Sequence, residues 1–139
     1  MPNQQNYTLQ TKNLSVGYSH KKGNHVVAKD INFFLKKGEL VGLVGSNGIG
    51  KSTLLRTLCK VQKPLAGDTF VNNQNLQDYT FETLAETLSV VLTETPASKN
   101  ITVAELVALG RQPYTNWLGT LTENDKKQII HALEATEMI

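Results

Sequence analysis

The feature that most constrains the fold of this chain is the nine-residue stretch GSNGIGKST at residues 45–53. It matches the pattern Gly-x-x-x-x-Gly-Lys-[Ser/Thr], in which glycines let the backbone wrap closely around phosphate oxygens. The apolar run 40–44, with no charged residue, comes before it, and residues 51–59 with helical spacing follow. The sequence therefore predicts a buried strand, a phosphate-binding loop and a helix whose N–H groups and dipole favour an anion.

The candidate binding residues are those of this loop and the first turn of the helix. Lys51 supplies a positive charge for the β- and γ-phosphates of a nucleotide, and Ser52 offers a hydroxyl to Mg²⁺. The full set is Gly45, Ser46, Asn47, Gly48, Ile49, Gly50, Lys51, Ser52 and Thr53. The alternative is a glycine-rich turn without a ligand, but the flanking strand and helix signals agree with the binding motif.

Composition sets broad limits on the class of protein. The 139 residues favour one compact domain, and 14 basic against 12 acidic residues make no case for a nucleic-acid partner. The single cysteine, Cys59, cannot form an internal disulfide, and the three histidines have no metal-ligand spacing. Residues 1–6 are polar, and no apolar run reaches membrane-spanning length. These features are typical of a cytosolic protein.

Around the loop, alternating and apolar segments predict further elements. Strands are expected at residues 7–18, 25–28, 31–35, 68–71 and 88–92, with a short helix at 81–87. The strands before the loop are expected to form an antiparallel layer, and residues 88–92 a second buried strand. On the helix after the loop, Leu54, Leu55 and Leu58 are expected to pack on the sheet.

The last third of the chain is predicted to be helical. Thr102 and Glu105 form a capping box that opens a helix ended by Gly110. Residues 111–119 form an irregular segment with two exposed aromatic candidates. A last helix starts at residues 122–125. Its predicted apolar face consists of Ile129, Ile130, Leu133 and Met138.

This order of elements resembles the ATP-binding-cassette (ABC) ATPases, with matching stretches at residues 14–18, 31–35, 37–44 and 52–58. Asn47, with Thr53-Leu54-Leu55 after the loop, is typical of cassette proteins rather than of GTPases or kinases. Residues 107–114, VALGRQPY, resemble the branch that energises import of iron-siderophore, haem or cobalamin complexes.

The resemblance implies an α/β fold, a P-loop NTPase of ABC type. It would comprise an amino-terminal antiparallel β layer, part of the parallel core sheet and part of the helical subdomain. Residues 1–139 are expected to form the amino-terminal part of one such ATPase domain. The β layer, loop and core would occupy residues 1–92, and the start of the helical subdomain residues 93–139.

The resemblance also implies residue roles. ATP and Mg²⁺ are the expected cofactors, with Tyr18 stacking on adenine and Ser52 holding the metal; the alternative for Tyr18 is a surface tyrosine at a strand end. Where the family has a glutamine after the strand at 88–92, this chain has Thr93 and Glu94. Glu94 is a candidate substitute, and the other interpretation is that both are ordinary loop residues.

Several catalytic parts of the family have no match in this sequence. These are an apolar strand that ends in aspartate and is followed by glutamate, a Ser-Gly-Gly signature and a switch histidine. His131 lies too early to be that histidine. No catalytic residue is therefore assigned, and the chain alone is expected to be inactive, although the parent protein would hydrolyse ATP.

The implied parent protein is the ATP-binding subunit of an importer for an iron-siderophore or related metal chelate, whose ATP hydrolysis moves the permease. It would be cytoplasmic, form a homodimer and lie peripherally on the inner face of the membrane through that permease. Tyr114 and Trp117 would help to form the groove for a short permease helix, unless their rings fold back on their own helix. Two other functions remain open, a non-transport ABC ATPase in repair or translation and a non-catalytic nucleotide-binding module.

Overall fold

The computed structural model describes residues 7–91 and 100–139, and the chain divides into two compact units, Met1–Leu84 and Ala85–Ile139. Within the described residues, no helix combines the length and the apolar character needed to cross a membrane.

The first unit is built on an antiparallel sheet. Its strands are β1 (Tyr7–His20), β2 (Gly23–Ile31), β3 (Phe34–Lys36), β4 (Ala66–Val71) and β5 (Gln74–Asn75). The order is β2-β1-β4-β5, and β3 also pairs with β1. The predicted antiparallel layer is confirmed. One detail differs, because β2 is a single strand that runs through residues 28–31, where two strands with a break at Lys29-Asp30 were expected.

The core of this unit lies where β1 meets the helix after the glycine-rich loop, α1 (Lys51–Leu58). Leu14 and Val16 are fully buried and cluster with Leu58, and Leu54 packs against this cluster. Leu55 is half exposed, contrary to prediction. The buried face instead follows the rows 53/57 and 54/58, and Thr53 and Thr57 are buried. Residues four apart share one face of a helix. Because the buried face is centred on these two rows, Leu55 lies toward its outer side.

Two predicted buried strands are not formed. Residues 40–44 belong to no strand, and Leu40 and Val44 expose 101% and 90% of their surface. Residues 88–91 form no strand either, and Leu92 lies outside the described residues. A strand exists only through ladder hydrogen bonds to a neighbour, and the ladders of the described residues are all antiparallel pairings of β1–β5. The predicted part of a parallel core sheet is therefore absent from the described residues.

Two further helical elements complete the first unit. A 3-10 turn at Leu76–Asp78 leads to α2 (Phe81–Ala85), which confirms the predicted short helix. Leu76 and Leu84 are buried. Lys60, at positive φ just after α1, donates from Nζ to the carbonyl oxygens of Gln77 and Tyr79, at 3.1 and 2.5 Å. This lysine therefore joins the end of α1 to the segment before α2.

The second unit contains α3 (Val103–Leu109), a 3-10 turn at Gln112–Tyr114 and α4 (Glu123–Ala135), with α3 packed against α4. The predicted capping box of Thr102 and Glu105 is confirmed, as is the end of α3 at Gly110. On α4, Ile129 and Leu133 are buried, whereas Ile130 and Met138 are exposed. The buried row of α4 is 125/129/133, so the predicted apolar face is half correct.

Asp125 connects the start of α4 to the segment that follows α3. Its carboxylate accepts hydrogen bonds from the backbone N–H and the hydroxyl of Thr122, at 2.9 and 2.6 Å. It also accepts one from Nε of Arg111 at 2.9 Å. The bonds from Thr122, followed by the bond from Arg111, lower the pKa of Asp125 from its ordinary value of 3.8. The side chain is 3% exposed, so these groups replace water around it.

This lowered pKa predicts a loss of stability in acid. A carboxylate whose pKa is lower in the folded state stabilises the fold above its unfolded pKa, and that contribution disappears as the pH falls through the folded pKa. We expect Asp125→Asn to lower the melting temperature of the second unit at pH 7. The difference in melting temperature from the original chain should shrink below about pH 4. Circular dichroism melts from pH 2 to pH 7 measure it.

Glu123→Gln is the matched control, because Glu123 is 82% exposed and its ion pair with Lys126 lies at the surface. It should change the melting temperature little at any pH. A difference between Asp125→Asn and the original chain that stayed constant from pH 2 to pH 7 would show that the charge of Asp125 does not stabilise the fold.

Candidate functional site

The glycine-rich loop has a backbone that only glycine adopts without strain at two positions. Gly48 and Gly50 have φ angles of 81° and 107°, in the left-handed region. At Gly50 a Cβ atom would also overlap the side chain of Val27 in β2. The loop therefore has the glycine-dependent conformation that the motif predicts, and its last glycine lies directly against the sheet.

The loop ends at the N-terminus of α1, which has no side-chain cap. Gly50 is the N-cap residue, and the first turn contains no acidic side chain. The Gly50 carbonyl accepts the first hydrogen bond of the helix, from the N–H of Leu54 at 2.9 Å. The first N–H groups of a helix have no partner inside it, and they carry the positive end of its dipole. This end of α1 therefore favours an anion.

Lys51 folds back over the loop. Its Nζ donates hydrogen bonds to the carbonyl oxygens of Gly45 and Ser46, at 2.7 and 2.8 Å. The loop thus holds an ammonium group beside the uncapped helix N-terminus. Two kinds of positively polarised donor converge there, and this donor set fits the phosphate groups of a nucleotide.

Ser52 lies exposed in the first turn of α1. Within residues 7–91 and 100–139, no group of three His, Cys, Asp or Glu side chains could hold a metal ion by itself. Mg²⁺ at nucleotide sites usually keeps several waters and takes phosphate oxygens with one or two protein ligands. An exposed hydroxyl at Ser52 therefore fits Mg²⁺ that arrives with the phosphates.

Tyr18 lies next to this loop. It pairs with His25 across the β1–β2 ladder, and it is 41% exposed. Its hydroxyl shares a hydrogen bond with Oγ1 of Thr53, at 3.1 Å. The structure thus brings the Tyr18 hydroxyl to the first turn of α1. The sequence contained no sign of the bond itself, because its partners are 35 residues apart.

The other residues considered in the sequence lie elsewhere. Thr93 and Glu94 fall outside the described residues, and His131 is an exposed residue of α4. The Arg111 guanidinium packs on the face of the Tyr114 ring, with its central carbon 4.0 Å from the ring centre. Trp117 exposes 92% of its surface, so within its own unit its ring is not folded against the helices.

Comparisons with known proteins place these observations in a family. The family model described as "ABC transporter" matches residues 28–139. An uncharacterized ABC transporter ATP-binding protein, MJ0873 of Methanocaldococcus jannaschii, is 45% identical over 127 residues, which cover 91% of this chain and 42% of the relative. The petrobactin import ATP-binding protein FpuD of Bacillus anthracis is 37% identical over 130 residues, or 94% of this chain and 46% of the relative. The chain therefore spans about half the length of these curated relatives.

A solved structure has a similar fold. It is the dimeric post-hydrolysis state of the ATP-binding cassette MJ0796, bound to ADP and Pi, with a TM-score of 0.72. The sequences are 23% identical, and the match covers 93% of this chain and 57% of the other. At this identity the likeness shows the fold alone.

Proposed function

This chain belongs to the ABC transporter family, and from that premise we propose that it is the ATP-binding part of an importer subunit for an iron-siderophore or related metal chelate. One observation carries the nucleotide-binding half of this proposal. The Lys51 ammonium lies within a glycine loop, 2.7 Å from the Gly45 carbonyl, at the uncapped N-terminus of α1.

Each part of this site has a distinct task in the proposed binding of ATP. The first N–H groups of α1 and the Lys51 ammonium orient the phosphates and offset their charge. Ser52 would hold Mg²⁺, which would offset part of the negative charge of the phosphates. The exposed part of the Tyr18 ring offers a stacking surface to the base, and such contacts are worth about 1–3 kcal/mol in nucleic-acid complexes. We assign no catalytic residue in this chain.

Import of a metal chelate is supported by two separate observations. The relative from Bacillus anthracis is named as an import protein for petrobactin. The stretch VALGRQPY at residues 107–114 resembles the importer branch of the family. The end of α3 and the 3-10 turn after it contain this stretch, so it belongs to the unit that also exposes Trp117. Both observations favour transport over a role in repair or translation.

The proposed partners are a membrane permease subunit and a second copy of the whole protein. The protein would then lie at the cytoplasmic face of the membrane through its permease. Trp117 is 92% exposed and Leu118 beside it 66%. Exposed aromatic side chains are frequent anchors where a helix docks in a groove. We propose that residues 111–119 contact the permease.

A substitution at Trp117 tests this importer proposal. Truncation of an aromatic anchor costs about 2 kcal/mol or more, which corresponds to a roughly thirtyfold loss of affinity. The whole protein is expressed with a tag in the organism that it comes from. There we expect Trp117→Ala to move most of the protein from the membrane fraction to the soluble fraction. Its ATP affinity should stay unchanged, because the described loop contacts do not involve this residue. Quantitative immunoblots of the two fractions measure the distribution.

Ile130→Ala is the control, because Ile130 is also an exposed apolar residue of the second unit but lies on α4. It should leave the protein at the membrane. An unchanged distribution of Trp117→Ala together with a lowered melting temperature would identify Trp117 as a packing residue of the whole protein.

A further inference from the structure

The segment between α3 and α4 contains a turn that presents two apolar side chains to solvent. Trp117 and Leu118 are 92% and 66% exposed, so little packing holds them in place. Three successive N–H groups of this turn donate to one residue, Asn116. Its side-chain Oδ1 accepts from the N–H groups of Leu118 and Thr120, at 3.1 Å each. Its backbone carbonyl accepts from the N–H of Gly119 at 2.8 Å. Asn116 therefore closes the turn that contains the exposed pair.

Gly119 supplies the backbone conformation that this closure needs. Its φ angle is 69°, in the left-handed region that favours glycine. A Cβ atom at this position would meet nothing within 4 Å. The glycine is therefore explained by its φ angle rather than by lack of space. An asparagine side chain that accepts from the N–H two residues further on is typical of a tight turn.

The two ends of this segment are attached to the start of α4. Before the turn, the Arg111 guanidinium packs on the Tyr114 ring and forms an ion pair with Asp125, with a nitrogen–oxygen distance of 2.9 Å. After the turn, Thr122 caps α4 and donates to the same carboxylate. The ends are thus held by one buried acidic group. The conformation of the turn itself depends on Asn116.

We propose that Asn116 is a positioning residue, which fixes Trp117 and Leu118 in advance as one apolar anchor for the permease. The inference rests on the proposed function, because it assumes that residues 111–119 contact that partner. An exposed segment that is mobile before docking loses conformational freedom when it docks, and this loss lowers affinity. A turn that is already closed loses less. Asn116 therefore strengthens docking through the two side chains that it holds in place.

The chemistry of the two side-chain bonds gives a sharp pair of variants. Both bonds use Oδ1 as an acceptor. Asn116→Asp keeps an acceptor oxygen at this position, whereas Asn116→Ala removes it. A direct contact of the Asn116 side-chain N–H groups with the permease would be lost in both variants. A positioning role is lost in Asn116→Ala alone.

Nitrogen-15 relaxation of the backbone amides of Trp117 and Leu118 tests the restraint in the 139-residue chain, without any partner. We expect order parameters of about 0.85 in the original chain and in Asn116→Asp, and below about 0.6 in Asn116→Ala. Thr136→Val is the matched control. Thr136 is also an exposed residue of the second unit, and its hydroxyl donates to the Ala132 carbonyl at 2.8 Å. Its loss should leave both order parameters unchanged.

The tagged whole protein tests the consequence for docking. Ordering one or two side chains changes an equilibrium by about two- to tenfold, so Asn116→Ala should lower the ratio of membrane-bound to soluble protein by that factor. Asn116→Asp should retain clearly more protein at the membrane than Asn116→Ala does. Thr136→Val should leave the distribution unchanged. Quantitative immunoblots of the two fractions measure these ratios.

The two measurements separate failure of the inference from failure of the proposed function. Unchanged order parameters in Asn116→Ala would overturn the inference, even if Trp117→Ala leaves the membrane. Equal release of Asn116→Ala and Asn116→Asp would also overturn it, because the residue would then act by direct contact. Membrane retention of Asn116→Ala, where Trp117→Ala is released, would show that docking does not need the closed turn. Retention of Trp117→Ala itself would refute the proposed docking, and the inference with it.

Discussion

Lys51→Ala is expected to abolish most of the nucleotide affinity of this chain. The lysine supplies the charged group within the loop, where its Nζ lies 2.7 and 2.8 Å from two loop carbonyls. A hydrogen bond between a charged donor and phosphate is worth about 1.5–3 kcal/mol, so the Kd for Mg-ATP should rise about ten- to hundredfold or more. Titration calorimetry on the two proteins measures the change directly.

A second lysine provides the control for this experiment. Lys60 lies just beyond the other end of α1, and its Nζ donates to the carbonyl oxygens of Gln77 and Tyr79. Lys60→Ala should lower the melting temperature and leave the affinity for Mg-ATP unchanged. Equal affinity of Lys51→Ala and the original chain would leave the loop as a glycine-rich turn without a nucleotide-binding role.

ATP turnover by the 139-residue chain is expected to stay at background. Phosphoryl transfer to water needs a group that orients the attacking water, besides the residues that hold the phosphates. The sequence contains no Ser-Gly-Gly signature. Glu39 is the nearest acidic residue before the loop in the sequence. Its carboxylate accepts a hydrogen bond from the N–H of Lys36 at 2.7 Å, so it is engaged within its own turn. Continuous phosphate-release assays with Mg-ATP, with Lys51→Ala as the blank, measure turnover.

Sustained phosphate release that disappears in Lys51→Ala would contradict this expectation. Such a result would mean that the chain contains a catalytic carboxylate, although no catalytic residue was assigned from the sequence. Glu94 is the first candidate, because it follows the segment after which the family has its glutamine. Phosphate release by Glu94→Gln would then decide whether Glu94 is that carboxylate, because the substitution removes the charge and keeps the size of the side chain.

The fold class was predicted from the sequence, and the likeness to solved ABC cassettes confirms it, with a TM-score of 0.72 for the MJ0796 dimer. Local elements were predicted best. Helix α1, the short helix α2 and the capping box at Thr102 form where their own residues specify them. Residues 40–44 show the limit of such reasoning. Their apolar run predicts burial, yet burial needs a neighbouring strand, and Leu40 is fully exposed in this structure.

The pairing of β1 shows a second limit. Alternation of apolar residues predicts which side chains face the core, but β1 has register shifts between Leu14 and Val16 and between Val16 and Gly17. Each irregularity changes the relation between sequence position and face, because side chains alternate with a period of two. The alternation pattern therefore predicted the strand, but it did not predict that Tyr18 is directed toward α1.

The sequence by itself determined the glycine loop, the helix that follows it and the caps of the later helices. These features depend on backbone preferences and hydrogen bonds among residues a few positions apart, which the order of residues specifies directly. Only the tertiary structure decided the contacts that join distant segments, such as Tyr18 with Thr53 and Arg111 with Asp125, which are 35 and 14 residues apart. Those contacts depend on strand register and helix rotation, and packing of the whole unit sets both.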